Sequence, residues 1–196
     1  NKCTLIVGAP IKSNGKLYNC AVVISEGIIK AIVPKTYLCN TNEYYEERWF
    51  SCENDRIDDF IFINNNSIPF GADVLFRIKD FRDCIIGLEI CEDLWSVIPP
   101  SSQMALAGAN VLMNLSASPE ILGKYKYRKD LVVSQSARCL AAYLYSSSNA
   151  GESTTDLVFS GHCLIAENGI LLEESKRFEF ENQIVIADID IEKLNN

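Results

Sequence analysis

The sequence predicts a layered α/β fold built on a mixed sheet. Three observations point to it. Strand-length apolar runs alternate with helical patterns between residues 84 and 146, and hairpin-like segments flank that stretch on both sides. In addition, 48% of the 196 residues are hydrophobic, enough to bury one substantial core. Residues 1–196 are therefore read as a single domain, with no internal repeat and no low-complexity tract. The net charge of −8 argues against nucleic acid or an anionic membrane as partner. No apolar run approaches the ~20 residues of a membrane span.

Taken in order, Thr4–Val7 is a short apolar strand ending at Gly8-Ala9-Pro10. Lys2 followed by Cys3–Ile11 has a faint signal-peptide character but lacks a small-x-small cleavage site, so it is read as strand. Asn14-Gly15 is a strong turn signal that makes Leu17–Ile24 the next strand. Ser25-Glu26-Gly27 then turns the chain into Ile28–Val33, a hairpin that arrives at Pro34-Lys35. Thr36–Phe50, TYLCNTNEYYEERWF, is crowded with aromatics and acids and follows neither period. Phe60–Ile63 and Val74–Ile78 read as strands, with Pro69-Phe70-Gly71 turning between them. Cys84–Ile90 is the central strand, an apolar run broken by Glu89 alone. Ser96–Pro100 leads irregularly into a helix over Ser101–Ala109, with Gly108 near its end. Asn110–Leu115 is a buried strand that stops at Ser116-Ala117-Ser118-Pro119. Lys124–Ser146 is the longest helical pattern, with Leu131, Val132, Ser136, Cys139, Leu140 and Tyr143 at helix spacing. Gly161–Leu172 and Gln183–Ile191 close the chain as hairpin-like segments around the charged stretch Glu173–Glu181.

Three strand ends carry polar groups: Lys35, Cys91 and Ser116–Ser118. Packing does not require a thiol followed by two acids, Cys91-Glu92-Asp93, where a buried strand stops. A nucleophile does, because the strand end holds it still and the next turn offers N–H groups to an oxyanion. Each residue also has a plainer reading. Cys91 can be a small core residue, Lys35 a solvated surface group, and the serines a turn or helix cap. Their coincidence at strand ends favours a ligand crevice. The eight cysteines form no C-x-x-C and lie mostly in apolar patterns, which suits reduced thiols in a cytoplasmic protein. With His162 the single histidine, no zinc site is expected.

VPKTYL, EYYEERWF, GLEICEDLW, NLSASP, GKYKYR, SQSARCLAAYLYSSSNAGESTTDLVFSGH and AENG together resemble the nitrilase superfamily. Within it they look most like the glutaminase domain of glutamine-dependent NAD+ synthetases. The resemblance runs from about Leu5 to Leu194. It implies a four-layer α-β-β-α sandwich and a Glu-Lys-Cys triad. Cys91 matches the nucleophile that attacks the glutamine carboxamide, and Lys35 matches the triad lysine. The Glu92 backbone N–H would assist at the oxyanion. A γ-glutamyl thioester would form as ammonia leaves, and water would release glutamate. Glu46 matches a second glutamate beside the pair, with the orientation of Lys35 as its plainest role. Ser118 and Lys124 match positions that grip glutamine, Trp95 an aromatic pocket wall, and Asp93 a residue that ties down the turn. Thr41 stands where the family offers a substrate-facing tyrosine, and Cys39 where it has proline.

The family's triad glutamate lies upstream of the lysine, and Glu26, in a hairpin turn, is the only acid before Lys35. The chain is thus expected to be a domain incomplete at its amino terminus, with near-background activity alone and a tendency to self-associate. No SGG-type ATP-pyrophosphatase loop occurs, so ATP and Mg are expected on a separate synthetase domain, in cis or in trans, and no cofactor on this one. Glutamine, that synthetase domain and further copies of the chain are the expected partners. A free-standing amidase for another amide, and an inactive module keeping only interaction surfaces, are the competing readings.

Overall fold

A computed structural model describes residues 3–153 and 157–196; Thr154, Thr155 and Asp156 of the GESTTDL run lie outside the described residues. β1 (Thr4–Ser13), β2 (Lys16–Ser25) and β3 (Ile28–Pro34) form an antiparallel three-stranded sheet in chain order. Both connections are two-residue turns with positive φ at each central residue, Asn14 (49°) and Gly15 (77°), then Glu26 (55°) and Gly27 (75°). Such mirror-image turns match the twist of the strands they join. β1 runs past the expected stop at Gly8, through Pro10, to Ser13. The extension is compatible with proline because β1 is an edge strand, where a missing N–H need not cost a ladder bond.

β4 (Phe60–Ile63) and β5 (Asn66–Pro69) form a separate hairpin through Asn64-Asn65, both in the left-handed region. The larger sheet has six strands in the order β11-β10-β9-β8-β7-β6. They are β6 (Phe76–Ile78), β7 (Phe81–Ile90), β8 (Val111–Ser116), β9 (Ala142–Ser147), β10 (Cys163–Glu167) and β11 (Ile170–Glu174). β7, β8 and β9 run parallel, and the other pairings are antiparallel. Parallel neighbours need crossovers, supplied by α1 (Pro100–Leu106) and α2 (Lys124–Cys139). A last short helix, α3, spans Ile191–Asn195.

Two sequence expectations need correcting. The helical pattern over Lys124–Ser146 ends at Cys139, where Leu140 turns left-handed (φ 49°), and β9 follows. β9 is buried on both sides, with Tyr143 and Tyr145 in the core against the helices and Ala142 and Leu144 packed on the other face. No polar alternation marks such an internal strand. Gln183–Ile191 is not a hairpin. Its start is pinned by the Gln183 side chain, which exchanges bonds of 3.0 and 2.9 Å with the backbone of Lys176. Ile184 and Ile186 remain exposed, so their apolarity is not strand burial.

Ala21, Val23 and Val33 pack against Leu88 and Ile90 to fill the space between the sheets. On the far side of the larger sheet, Leu112, Tyr143, Tyr145 and Leu164 meet Met104 of α1 and Val132 of α2. On the far side of the smaller sheet, Tyr18, Cys20, Val22 and Ile32 meet Ile68 and Phe70, with β4 and β5 alongside. The mixed α/β class is borne out, with helices and two sheets stacked in layers. Among the described residues no helix is long and apolar enough to cross a membrane.

Candidate active site

The two sheets bring two strand ends together. β3 ends at Pro34 and delivers Lys35; β7 ends at Ile90 and delivers Cys91. Both rest on the apolar layer between the sheets. Lys35 is no solvated surface group: it is 3% exposed, and its ammonium is paired with Glu46 Oε2. Its backbone N–H donates to Asn19 O at 2.8 Å. Burial works against the charged lysine, but the neighbouring Cys91 and Glu46 outweigh it and hold its pKa above the ordinary value.

Glu46 opens a turn of 3-10 helix, Glu46–Arg48. Besides Lys35, its carboxylate accepts from Asn19 Nδ2 at 2.7 Å and from the Cys39 N–H at 2.8 Å. Three donors thus converge on one carboxylate and fix its position beside Lys35.

Cys91 adopts φ +49°, in the left-handed region. For a residue with a side chain this costs roughly 1–2 kcal/mol and persists only where the surroundings enforce it. Asn114 supplies part of that enforcement. Its Oδ1 accepts from the Cys91 N–H at 3.0 Å, and its Nδ2 donates to Cys91 O at 3.4 Å. Ser116 Oγ donates to the same Oδ1 at 2.8 Å. Asp93 fastens the turn from the other side, accepting from the N–H of Ile90 at 2.9 Å and of Tyr37 at 2.7 Å. The Cys91 turn is thereby tied to the loop that follows Lys35. Burial pushes the Asp93 carboxyl up to about 7, with the two backbone donors pulling the other way.

A cavity of about 590 Å³ opens over these groups, lined by Asn19, Lys35, Tyr44, Glu46, Cys91 and Ser116, among others. Of the residues singled out in the sequence, Lys35, Cys39, Glu46, Cys91 and Ser116 meet there. Thr41 is exposed and does not line it. Tyr44 does, and its hydroxyl donates to Ala117 O at 2.5 Å across the cavity's edge. Burial, with Cys91 next to it, pushes the Tyr44 phenol up and keeps it a donor. Trp95 and Lys124 do not line the cavity but pair with each other, the ammonium 5.2 Å from the indole centroid. Burial lowers the Lys124 pKa, aided by Arg128 and opposed by Cys91. Ser118 is buried, and its hydroxyl has no partner among the described residues. The Glu92 N–H lies in the first turn of Cys91–Trp95, where a helix offers no acceptor of its own. Sequence reasoning missed Asn19, Tyr44 and Asn114. Asn19 and Asn114 had a signal, a lone amide inside an apolar strand, which burial obliges to find partners. Among the described residues, no group of three or more His, Cys, Asp and Glu side chains could hold a metal ion.

The carbon-nitrogen hydrolase family model matches residues 1–196. The chain belongs to the carbon-nitrogen hydrolase family. Among curated relatives of this carbon-nitrogen hydrolase, the glutamine-dependent NAD(+) synthetase of Mycobacterium leprae (strain TN) is 43% identical over 192 residues. That of Mycobacterium tuberculosis (strain ATCC 25618 / H37Rv) is 45% identical over 192 residues. Each alignment covers 98% of this chain and 28% of the relative, so the chain spans little more than a quarter of their length. Among solved structures, a glutamine-dependent NAD(+) synthetase from Cytophaga hutchinsonii superimposes with TM-score 0.81 at 33% identity, covering 93% of this chain and 29% of that one. A carbon-nitrogen hydrolase from Helicobacter pylori G27 shares the fold, with TM-score 0.72 at 20% identity over 99% of this chain and 64% of that one.

Proposed function

We propose that this carbon-nitrogen hydrolase is a glutamine amidohydrolase that feeds ammonia to a synthetase domain making NAD+ from deamido-NAD. The observation that carries the reading is the meeting of Cys91 with the Lys35–Glu46 pair in one cavity. Support comes from relatives whose names state glutamine dependence and NAD+ synthesis.

In this reading Cys91 Sγ attacks the side-chain carbonyl carbon of glutamine. The Lys35 ammonium and the Glu92 N–H stabilise the oxyanion that develops. The carbon–nitrogen bond breaks, ammonia departs with the thiol's proton, and a γ-glutamyl thioester remains. Water then adds to the thioester and releases glutamate. Glu46, already engaged by three donors, orients Lys35 instead of moving protons. Ser118 and Lys124 hold the amino-acid end of glutamine and Trp95 walls the site, whereas Thr41, exposed and away from the cavity, takes no part. The eight cysteines are free, which suits a reducing cytoplasm. Exposed side chains such as Phe62, Leu122 and Ile184 offer apolar surface for the synthetase domain and for further copies of the chain.

A diazo-ketone analogue of glutamine, applied to the full-length protein that carries this domain, tests the reading. Mass spectrometry is expected to find the adduct on Cys91 and on none of the other seven cysteines, and Cys91→Ala is expected to abolish ammonia release while remaining folded. An adduct elsewhere with Cys91 untouched would overturn the assignment.

A further inference from the structure

A thiol can act as a nucleophile without a left-handed backbone, yet Cys91 is held at φ +49°. We infer that Asn114 is a positioning residue for the reaction. It grips both sides of Cys91 and aims the Cys91–Glu92 peptide so that the Glu92 N–H faces the developing oxyanion. The inference rests on the glutaminase reading above.

The geometry carries it in three steps. First, one amide spans the nucleophile, accepting its N–H at 3.0 Å and donating to its carbonyl at 3.4 Å. A peptide unit is planar and trans, so its C=O and N–H point in opposite directions. Holding Cys91 O toward Asn114 therefore turns the Glu92 N–H away from Asn114, free of any helical acceptor. Second, the amide has one workable orientation. The Ser116 hydroxyl donates at 2.8 Å to the same Oδ1 that receives the Cys91 N–H. Turning the amide over would set an NH2 group against the Cys91 N–H. Third, Asn114 is itself immobile. It is buried in β8, directly opposite Glu89 of β7 in the strand register. Glu89 is anchored in turn by the Tyr143 hydroxyl and by the Ser101 N–H, the latter at 2.8 Å. Packing alone would favour an apolar residue here, as at Leu112, two positions earlier on the same face of β8. The amide's bonds go to the nucleophile's backbone and to the Ser116 hydroxyl, not to the cavity's occupant.

The test compares Asn114→Ala and Asn114→Asp with the native full-length protein that carries this domain, with Cys91→Ala as reference. Asn114→Asp keeps an acceptor for the Cys91 N–H but sets a carboxylate oxygen against Cys91 O. Three quantities are read: kcat and KM for ammonia release from glutamine, the rate of Cys91 alkylation by iodoacetamide, and folding by circular dichroism. Alkylation displaces iodide at a saturated carbon and forms no oxyanion, so it reports the thiol without the aimed N–H. Asn114→Ala is expected to lose about 10²–10³ in kcat, the scale of a lost oxyanion donor. Asn114→Asp is expected to lose at least about tenfold, on the same scale. KM and the alkylation rate should each stay within about threefold of the native values. Native-like kcat in either folded variant, a loss confined to KM, or alkylation falling in parallel with turnover would overturn the inference. Unfolding of both variants would make Asn114 a purely structural residue and overturn it as well. If Cys91→Ala itself releases ammonia at the native rate, the glutaminase reading fails instead.

Discussion

Lys35 is a buried cation whose charge is maintained by its neighbours. If that charge faces the transition-state oxyanion, Lys35→Met should lower kcat by about 10²–10³, comparable to deleting an oxyanion-hole donor. Steady-state ammonia release separates this from a binding role, which would raise KM and spare kcat. Asp93 gives a prediction in pH. Its folded pKa of about 7 lies above the ordinary 3.8, so the folded state binds the proton more tightly than the unfolded state. Its contribution to stability therefore falls as pH rises from about 4 to about 7 and is level beyond. The unfolding free energy of the native chain minus that of Asp93→Asn should decline across this window; a flat difference would show that the carboxyl is unperturbed. At this scale the two groups proposed to react were legible in the sequence, because a lysine and a thiol sit where apolar runs stop. Their supports were not. Asn19, Asn114 and Tyr44 act through partners 23 to 73 positions away, and spacing carries no trace of such contacts.

Two kinds of element boundary behave differently here. The hairpin turns at Asn14-Gly15 and Glu26-Gly27 carry their own chemistry, since both central positions need positive φ. They could be read directly. The end of α2 carries none. Leu140 occupies the left-handed position that stops a helix, a place usually taken by glycine or asparagine, and its side chain is exposed. The pattern consequently ran on into β9. Leu140→Gly should relieve that strain and stabilise the protein by about 0.5–1 kcal/mol, after the entropic cost of glycine is set against it. A rise in Tm of a few degrees would register it, and a fall would mean that Leu140 packs in a way its exposure does not suggest. The β4–β5 hairpin was half legible for a similar reason: Asn64-Asn65 tolerates the left-handed turn but announces it less clearly than a glycine pair would.

Across the whole molecule, the seam between the sheets holds the site together. Leu88, fully buried, packs with Val23 and Val33 from the smaller sheet. Leu88→Ala should cost about 2–5 kcal/mol in denaturant unfolding. Because the cavity left behind lies beneath both Lys35 and Cys91, kcat should also fall in protein that is still folded. Full activity in that folded protein would mean that the two strand ends are held independently of the seam. The seam also has a consequence for time. The smaller sheet joins its strands through two-residue turns, so it closes over short stretches of chain. The larger sheet needs two helical crossovers, and its tie to the Lys35 loop, from Tyr37 to Asp93, spans 56 residues. Contacts over such separations form late in folding, because chain closure must be completed before they add stability. A refolding chain therefore holds an isolated lysine and an isolated thiol for most of its path. Reactivity arrives with the last docking step, so recovery of turnover is a clock for that step and backbone spectroscopy for the earlier ones.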